Sequence, residues 1–161
     1  MTSQFYIFSH SPEQTEQIAA CLAKHLQAPV KIALEGDLGA GKTCFVRGLA
    51  HYFDPEAPVS SPTYALAQTY QTSPAIHHID LYRAQKQNLE DLGILYLMED
   101  PEAIVCVEWP AGAHDADIRL VFEHAEGETR RFKFYFSDRF SEEWVLTVQR
   151  DLLSLYSGNA G

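Results

Sequence analysis

The sequence predicts an α/β fold of three layers, with a mixed central sheet, helices on both faces and a late antiparallel hairpin. Three observations carry this. Short apolar runs alternate with stretches of helical spacing along most of the chain. The run Gly36-Asp37-Leu38-Gly39-Ala40-Gly41-Lys42-Thr43 is a complete G-x-x-x-x-G-K-T loop between a strand candidate and a helix candidate, which makes the fold P-loop NTPase-like. From Asp117 to Phe136 the pattern becomes strict alternation on either side of a turn, a hairpin signal. The 161 residues, 46% of them apolar, suit a single domain over 1–161 with a full core.

Each element follows from local chemistry. Gln4–Phe8 reads as a strand. Ser11 can cap a helix, with Pro12 at its first position and Gln14 placed for a capping-box contact. Ile18, Cys21, Leu22 and Leu26 line one face of that helix, which ends near Pro29. Val30–Glu35 is a mostly apolar strand feeding the glycine-rich loop. Phe45, Val46, Leu49 and Phe53 then recur at helical spacing until Asp54-Pro55 stops the helix. Pro55, Pro58 and Pro62 stiffen a loop. Strands are expected over Tyr64–Tyr70, Ala75–Leu81 and Ala103–Val107, the last running into Glu108. A helix is expected over Asn88–Met98. Asp117–Glu123 and Arg130–Phe136 form the hairpin around Ala125-Glu126-Gly127-Glu128, and a last helix runs from about Ser141 to Leu155. The sheet is therefore expected to be parallel around the loop, with antiparallel strands added.

Bulk composition excludes several classes. The formal net charge is −10, the wrong sign for gripping nucleic acid alone, which needs cationic patches that displace counterions. Any action on RNA would run through a partner. Cys21, Cys44 and Cys106 contain no C-x-x-C pair and are odd in number, against a disulfide framework or zinc site. Cys44 lies near a helix N-terminus, where a thiol can be activated, but a small core residue is the simpler reading. No apolar run is long enough to cross a bilayer and no secretory leader pattern is present, so a cytoplasmic setting is expected.

The loop names its ligand chemistry. Glycines let backbone N–H groups turn inward around phosphates, and the helix that starts there adds its positive dipole end. Asp37, Leu38, Gly39, Ala40 and Gly41 thus form the cradle. Lys42 reaches the outer phosphates, and the Thr43 hydroxyl can ligate Mg²⁺. Hydrolysis also needs acids for the metal and the water. Asp80 closes Ile76-His77-His78-Ile79-Asp80, and Glu108 closes Ile104-Val105-Cys106-Val107-Glu108. Both are apolar-run-then-acid patterns, and in open α/β sheets ligands sit at the carboxyl ends of strands. An acid at one strand end is as readily a surface cap, but two beside such a loop favour chemistry.

The remaining candidates are weaker. Thr63, in the loop Ser60-Ser61-Pro62-Thr63, can sense a γ-phosphate and its metal as switch loops do, or simply form a turn. Arg83 can contact phosphate or a partner carboxylate, or be a solvated charge. Trp109 can cover the site or fill core. His77 and His78 are adjacent, so on a strand they face opposite sides and cannot easily share a metal. Arg130, Arg131 and Lys133 read as a solvated strand face from which one could reach a nucleotide. No N-K-x-D motif accompanies the loop, which favours adenine over guanine, and no arginine-dense lid of a small-molecule kinase is visible.

Taken together, the glycine-rich loop, Ser61-Pro62-Thr63-Tyr64, His78-Ile79-Asp80-Leu81-Tyr82-Arg83 and Glu108-Trp109-Pro110 closely resemble the bacterial TsaE family, formerly called YjeE. The resemblance spans nearly the whole chain. It implies a P-loop ATPase, working with ATP/ADP and Mg²⁺, that supports threonylcarbamoyladenosine formation at position 37 of tRNAs reading codons that begin with A. It implies TsaD and TsaB as partners. TsaD transfers the threonylcarbamoyl group, and the ATPase resets the complex between turnovers. tRNA is met only through that complex, and the isolated chain is expected to be monomeric. By the same resemblance Lys42 lies on phosphates, Thr43 and Glu108 on Mg²⁺, and Asp80 near the metal and switch. Thr63 and Trp109 support the site, and the segment around Ser9, His10 and Ser11 lies on the adenine side. Cys44 stands where threonine is more usual, and Ser73-Pro74 and the tail after Ser141 match only loosely. Two rivals share the loop: a small-molecule kinase, and an assembly module that binds nucleotide without turning it over.

Overall fold

A computed structural model of the chain describes residues 3–37, 39–59, 66–81, 93–108 and 115–157. Among these, the strands β1 (Ser3–Ser9), β2 (Val30–Glu35), β3 (Ala67–Tyr70), β4 (Ala75–Asp80), β5 (Ala103–Glu108), β6 (Ile118–His124) and β7 (Arg130–Phe136) form one sheet in the order β1-β7-β6-β2-β5-β4-β3. The helices are α1 (Pro12–Ala23), α2 (Lys42–Phe53), α3 (Leu95–Met98) and α4 (Glu142–Ser157).

The middle of the sheet is parallel: β2 pairs with β5 and β6, and β4 pairs with β5. Every residue of β5 is buried, as expected of a parallel strand covered on both faces. Antiparallel strands complete both edges. β7 pairs with β6 and β1, and β3 pairs with β4. The expected mixture of parallel centre and added hairpin is therefore the architecture found. The β6–β7 turn closes through Ala125 N–H donating to the Thr129 carbonyl at 2.9 Å, with Gly127 at φ 59°.

Strand alternation divides the core. Ile32 and Leu34 of β2, Ile104 and Cys106 of β5 and the Phe132-Phe134-Phe136 row of β7 face α1, α2 and α4 in the main cluster. Val105, Val107 and Ile79 face the other way, against Ile94 and Met98 at α3. Helices do lie on both faces, but among the described residues the second face carries a single turn of helix. The expected helix over Asn88–Met98 is seen only as Leu95–Met98: Gly93, at φ 67°, forms a turn and Ile94 is the cap, while residues 88–92 lie outside the described residues. The strand expected over Tyr64–Tyr70 is described from Ala67.

α1 begins as its sequence dictates. Ser11 is extended and its side chain accepts from Gln14 N–H at 3.1 Å, while Gln14 Oε1 accepts from the N–H of His10, one residue before the cap, at 2.7 Å, so the expected capping box is met by its first half. The helix stops at Ala23, short of Leu26, which is nonetheless buried in the main cluster. α2 packs on α1 through Gly48, where an added Cβ would lie 2.5 Å from the Glu16 carbonyl oxygen and 2.8 Å from Ala19 Cβ. Only a residue without a side chain allows that approach.

Candidate functional site

The sheet register assembles the site. β2 ends at Glu35, where the glycine-rich loop begins, and Leu34 is in register with Glu108 of β5. Glu108 is in turn in register with Asp80 of β4. Strand neighbours lie about 4.8 Å apart, so the loop and two carboxylates stand side by side along the carboxyl edge of adjacent parallel strands. Residues 104, 106 and 108 share a face with 76, 78 and 80, and Ile76, Ile104 and Cys106 pack in the cluster that holds α2. Both acids are thereby on the α2 side. The ends are pinned by backbone bonds: Leu81 N–H donates to the Glu108 carbonyl at 3.0 Å, and Asp80 N–H to Leu66 at 2.8 Å.

The loop itself needs glycine. Gly36, Gly39 and Gly41 have φ of 154°, 79° and 105°, values that L side chains rarely adopt. At Gly36 a Cβ would also meet the Phe122 carbonyl oxygen at 2.9 Å. The loop tightens through Ala40 N–H donating to Asp37 at 3.1 Å, and α2 opens with Phe45 N–H on the Gly41 carbonyl at 2.9 Å. Asp37 and Gly39 are exposed, whereas Ala40 is buried. Lys42 is buried, and its ammonium folds back to donate to the Gly36 carbonyl at 2.6 Å. Thr43, half-buried, follows in the first turn of α2.

These residues suit a polyphosphate and a hard cation. The backbone N–H groups and dipole of the α2 N-terminus favour an anion. Thr43, Asp80 and Glu108 offer oxygen donors, the type Mg²⁺ takes. Among the described residues no group of three or more His, Cys, Asp or Glu side chains could cage a metal alone.

A recess of about 160 Å³ adjoins the loop, lined by Ser11, Thr15, Gly39 to Gly41, Cys44, Glu128 and Arg130. Ser11 and the loop, both expected from the sequence, thus share a wall with residues that spacing alone did not single out, Thr15 and Glu128. Ser9 Oγ lies 2.7 Å from Thr15 Oγ1, and His10 Nδ1 lies 3.0 Å from Thr129 Oγ1, tying this segment to the hairpin. Strand alternation separates the three basic residues of β7. Arg130 lines the recess, while Arg131 and Lys133 both pair with Glu123. Cys44 is no activated nucleophile: burial, followed by Glu16, raises its thiol, and Sγ donates to the Pro12 carbonyl at 3.3 Å. Burial pushes the Cys106 thiol up to about 12.

The two histidines face opposite sides, as strand geometry requires. His77 Nε2 is 2.8 Å from Asp100, whose carboxyl it holds below the ordinary 3.8. His78 is fully buried on the site face, with Nε2 at 3.4 Å from Glu108 Oε1 and Nδ1 at 3.3 Å from the Tyr70 hydroxyl. Leu38, Thr63, Arg83 and Trp109 lie outside the described residues.

Residues 9–132 match the family model described as threonylcarbamoyl adenosine biosynthesis protein TsaE. The chain is 38% identical over 148 residues to the tRNA threonylcarbamoyladenosine biosynthesis protein TsaE of Mycobacterium leprae, covering 86% of this chain and 89% of that one. It is 34% identical over 133 residues to the protein of that name from Aquifex aeolicus, covering 80% of this chain and 94% of the other. The crystal structure of Bacillus subtilis YdiB has the same fold, with a TM-score of 0.70 over 93% of this chain and 97% of that one at 24% identity. With its strand-end acids, its glycine-rich loop and most of its length accounted for by these matches, the chain belongs to the TsaE family.

Proposed function

We propose that the chain binds ATP with Mg²⁺ at the Gly36–Thr43 loop and hydrolyses it slowly, in support of threonylcarbamoyladenosine modification of tRNA position 37. In this reading it is a cytoplasmic protein acting on a TsaB–TsaD complex. The observation that carries the reading is the register Leu34–Glu108–Asp80, which puts two acids beside the start of a phosphate-type loop on the α2 side of the sheet. The family membership supports the pathway.

Each residue then has a task. The loop amides and Lys42 hold the phosphates, Lys42 exchanging its contact with the Gly36 carbonyl for phosphate oxygen. Thr43 and Glu108 hold the cation, and Asp80 lies beside them to orient it or the water. Bound Mg²⁺ would neutralise charge that develops on the phosphates. Ser11 and its neighbours border the recess on the side left for the base.

Two substitutions separate binding from turnover. Lys42→Ala should lose a charge-assisted contact of about 1.5–3 kcal/mol, or roughly 10- to 150-fold in nucleotide Kd. Glu108→Ala should keep nucleotide affinity while turnover falls about 10²- to 10⁴-fold. A Glu108→Ala protein that releases phosphate at the unsubstituted rate would remove Glu108 from the chemistry. Label passing from ATP into a metabolite rather than free phosphate would indicate a kinase instead.

A further inference from the structure

A buried polar chain runs from the edge of the sheet to Glu108. Gln68 of β3 is in register with His78 of β4, and Tyr70 of β3 points to the same face. The Tyr70 hydroxyl lies 3.0 Å from Gln68 Oε1 and 3.3 Å from His78 Nδ1. His78 is 0% exposed and Tyr70 4%. His78 Nε2 is turned on Glu108, 3.4 Å from Oε1, and completes no hydrogen bond among the described residues. A buried nitrogen without a hydrogen bond is destabilising, and natural folds keep few of them. Here the group it faces is the acid assigned to the chemistry.

The ring has one hydrogen to place in its neutral form. On Nδ1, it would leave a bare lone pair at Nε2 facing a carboxylate oxygen, a repulsive contact. On Nε2, it lies on the Glu108 side of the ring, 3.4 Å from Oε1 and short of a full hydrogen bond, while Nδ1 accepts from the Tyr70 hydroxyl. A half-turn of the Gln68 amide then lets its NH₂ donate to Tyr70. Every hydrogen bond in the chain would run toward the carboxylate, with the second-strand partner fixing the tautomer of the first.

We propose that His78 is the positioning residue of Glu108. Its Nε2–H holds Oε1, so that Oε2 is the oxygen presented to the cation and water, and Tyr70 keeps the ring in the required tautomer. This rests on the reading of Glu108 as the acid of the hydrolytic site.

The test uses the full chain with His78→Leu, His78→Gln and Tyr70→Phe beside Glu108→Ala. Glutamine carries an N–H near the position of Nε2, whereas leucine carries none. His78→Leu should lower ATP turnover about 10- to 100-fold. Affinity for a fluorescent ATP analogue should be unchanged. His78→Gln should restore most of the turnover. Independently, the ¹⁵N spectrum of the His78 ring should show hydrogen on Nε2, with Tyr70→Phe admitting the other tautomer. Hydrogen on Nδ1 in the unsubstituted protein would overturn the proposal, as would His78→Gln failing as badly as His78→Leu. If His78→Leu does not fold, the ring spectrum and the glutamine variant still decide. Normal turnover in Glu108→Ala sinks the hydrolytic reading instead, and the ring spectrum then judges the contact alone.

Discussion

At the scale of single residues, the charged groups on the face of β6 and β7 that points away from the main cluster show how little a local stripe says about partners. Glu123 accepts from Arg131 and lies 3.1 Å from Lys133. Hydrogen bonds from Arg131, then from Lys133, hold its carboxyl below the ordinary 4.5. A carboxylate depressed in the folded state stabilises the fold above its unfolded value and loses that contribution as pH falls through the folded one. Glu123→Gln should therefore be less stable at neutral pH, by under about 1 kcal/mol for a solvent-exposed pair. The gap should close as pH drops below 4.5. Urea melts of both proteins across that range check it, and a gap independent of pH would contradict the assignment. The same scale shows the limits of spacing. Lys42, Thr43, Asp80 and Glu108 were legible because each ends or opens a patterned run. Arg130 was legible only as one of three cations, since alternation separates residue 130 from 131 but does not say which neighbours meet either. His78 could be placed on one strand face, but its contact with Tyr70 depends on the β3–β4 register.

At the scale of elements, the joint between α1 and α2 positions the loop. α2 starts at Lys42 and α1 is capped by Ser11, and both border the same recess. Gly48 permits their close approach, with contacts under 3.0 Å awaiting any Cβ from the Glu16 backbone and from Ala19. In an isolated helix, Gly→Ala is favourable by about 1 kcal/mol. Here the clash is with backbone, so Gly48→Ala should destabilise by a net ~1–3 kcal/mol, the usual cost of overpacking. A lowered Tm with weakened nucleotide binding is the expected result, and a raised Tm would show that the helices part without cost. Gly48 carried no sequence signal, because a glycine inside a helical pattern reads only as a weak position. The helix starts and the hairpin were legible, since capping and turn chemistry are local. The end of α1 was not: Leu26 continues the apolar face, yet it reaches the core from beyond the last helical turn.

At the scale of the whole molecule, the proposed role requires a partner. The chain carries a net charge of −10, which opposes unaided binding to tRNA. Arg83, a candidate for contacting phosphate, lies outside the described residues. A finger supplied in trans can raise turnover about 10³- to 10⁵-fold. ATP turnover should accordingly be slow alone and rise on adding TsaB–TsaD, while tRNA should not be retarded by the chain alone at physiological salt. Steady-state phosphate release with and without the complex checks the first point, and unchanged turnover would count against gating.

The sequence by itself determined the glycine-rich loop, the order of strands and helices and the acids at two strand ends, because these depend on neighbours within a few positions along the chain. Only the tertiary structure decided that Glu108 lies between Leu34 and Asp80, that α1 and α2 touch through Gly48, and that a buried histidine faces the acid. Those relations join residues far apart in the chain, and they are set by sheet register and helix packing, which no local pattern encodes.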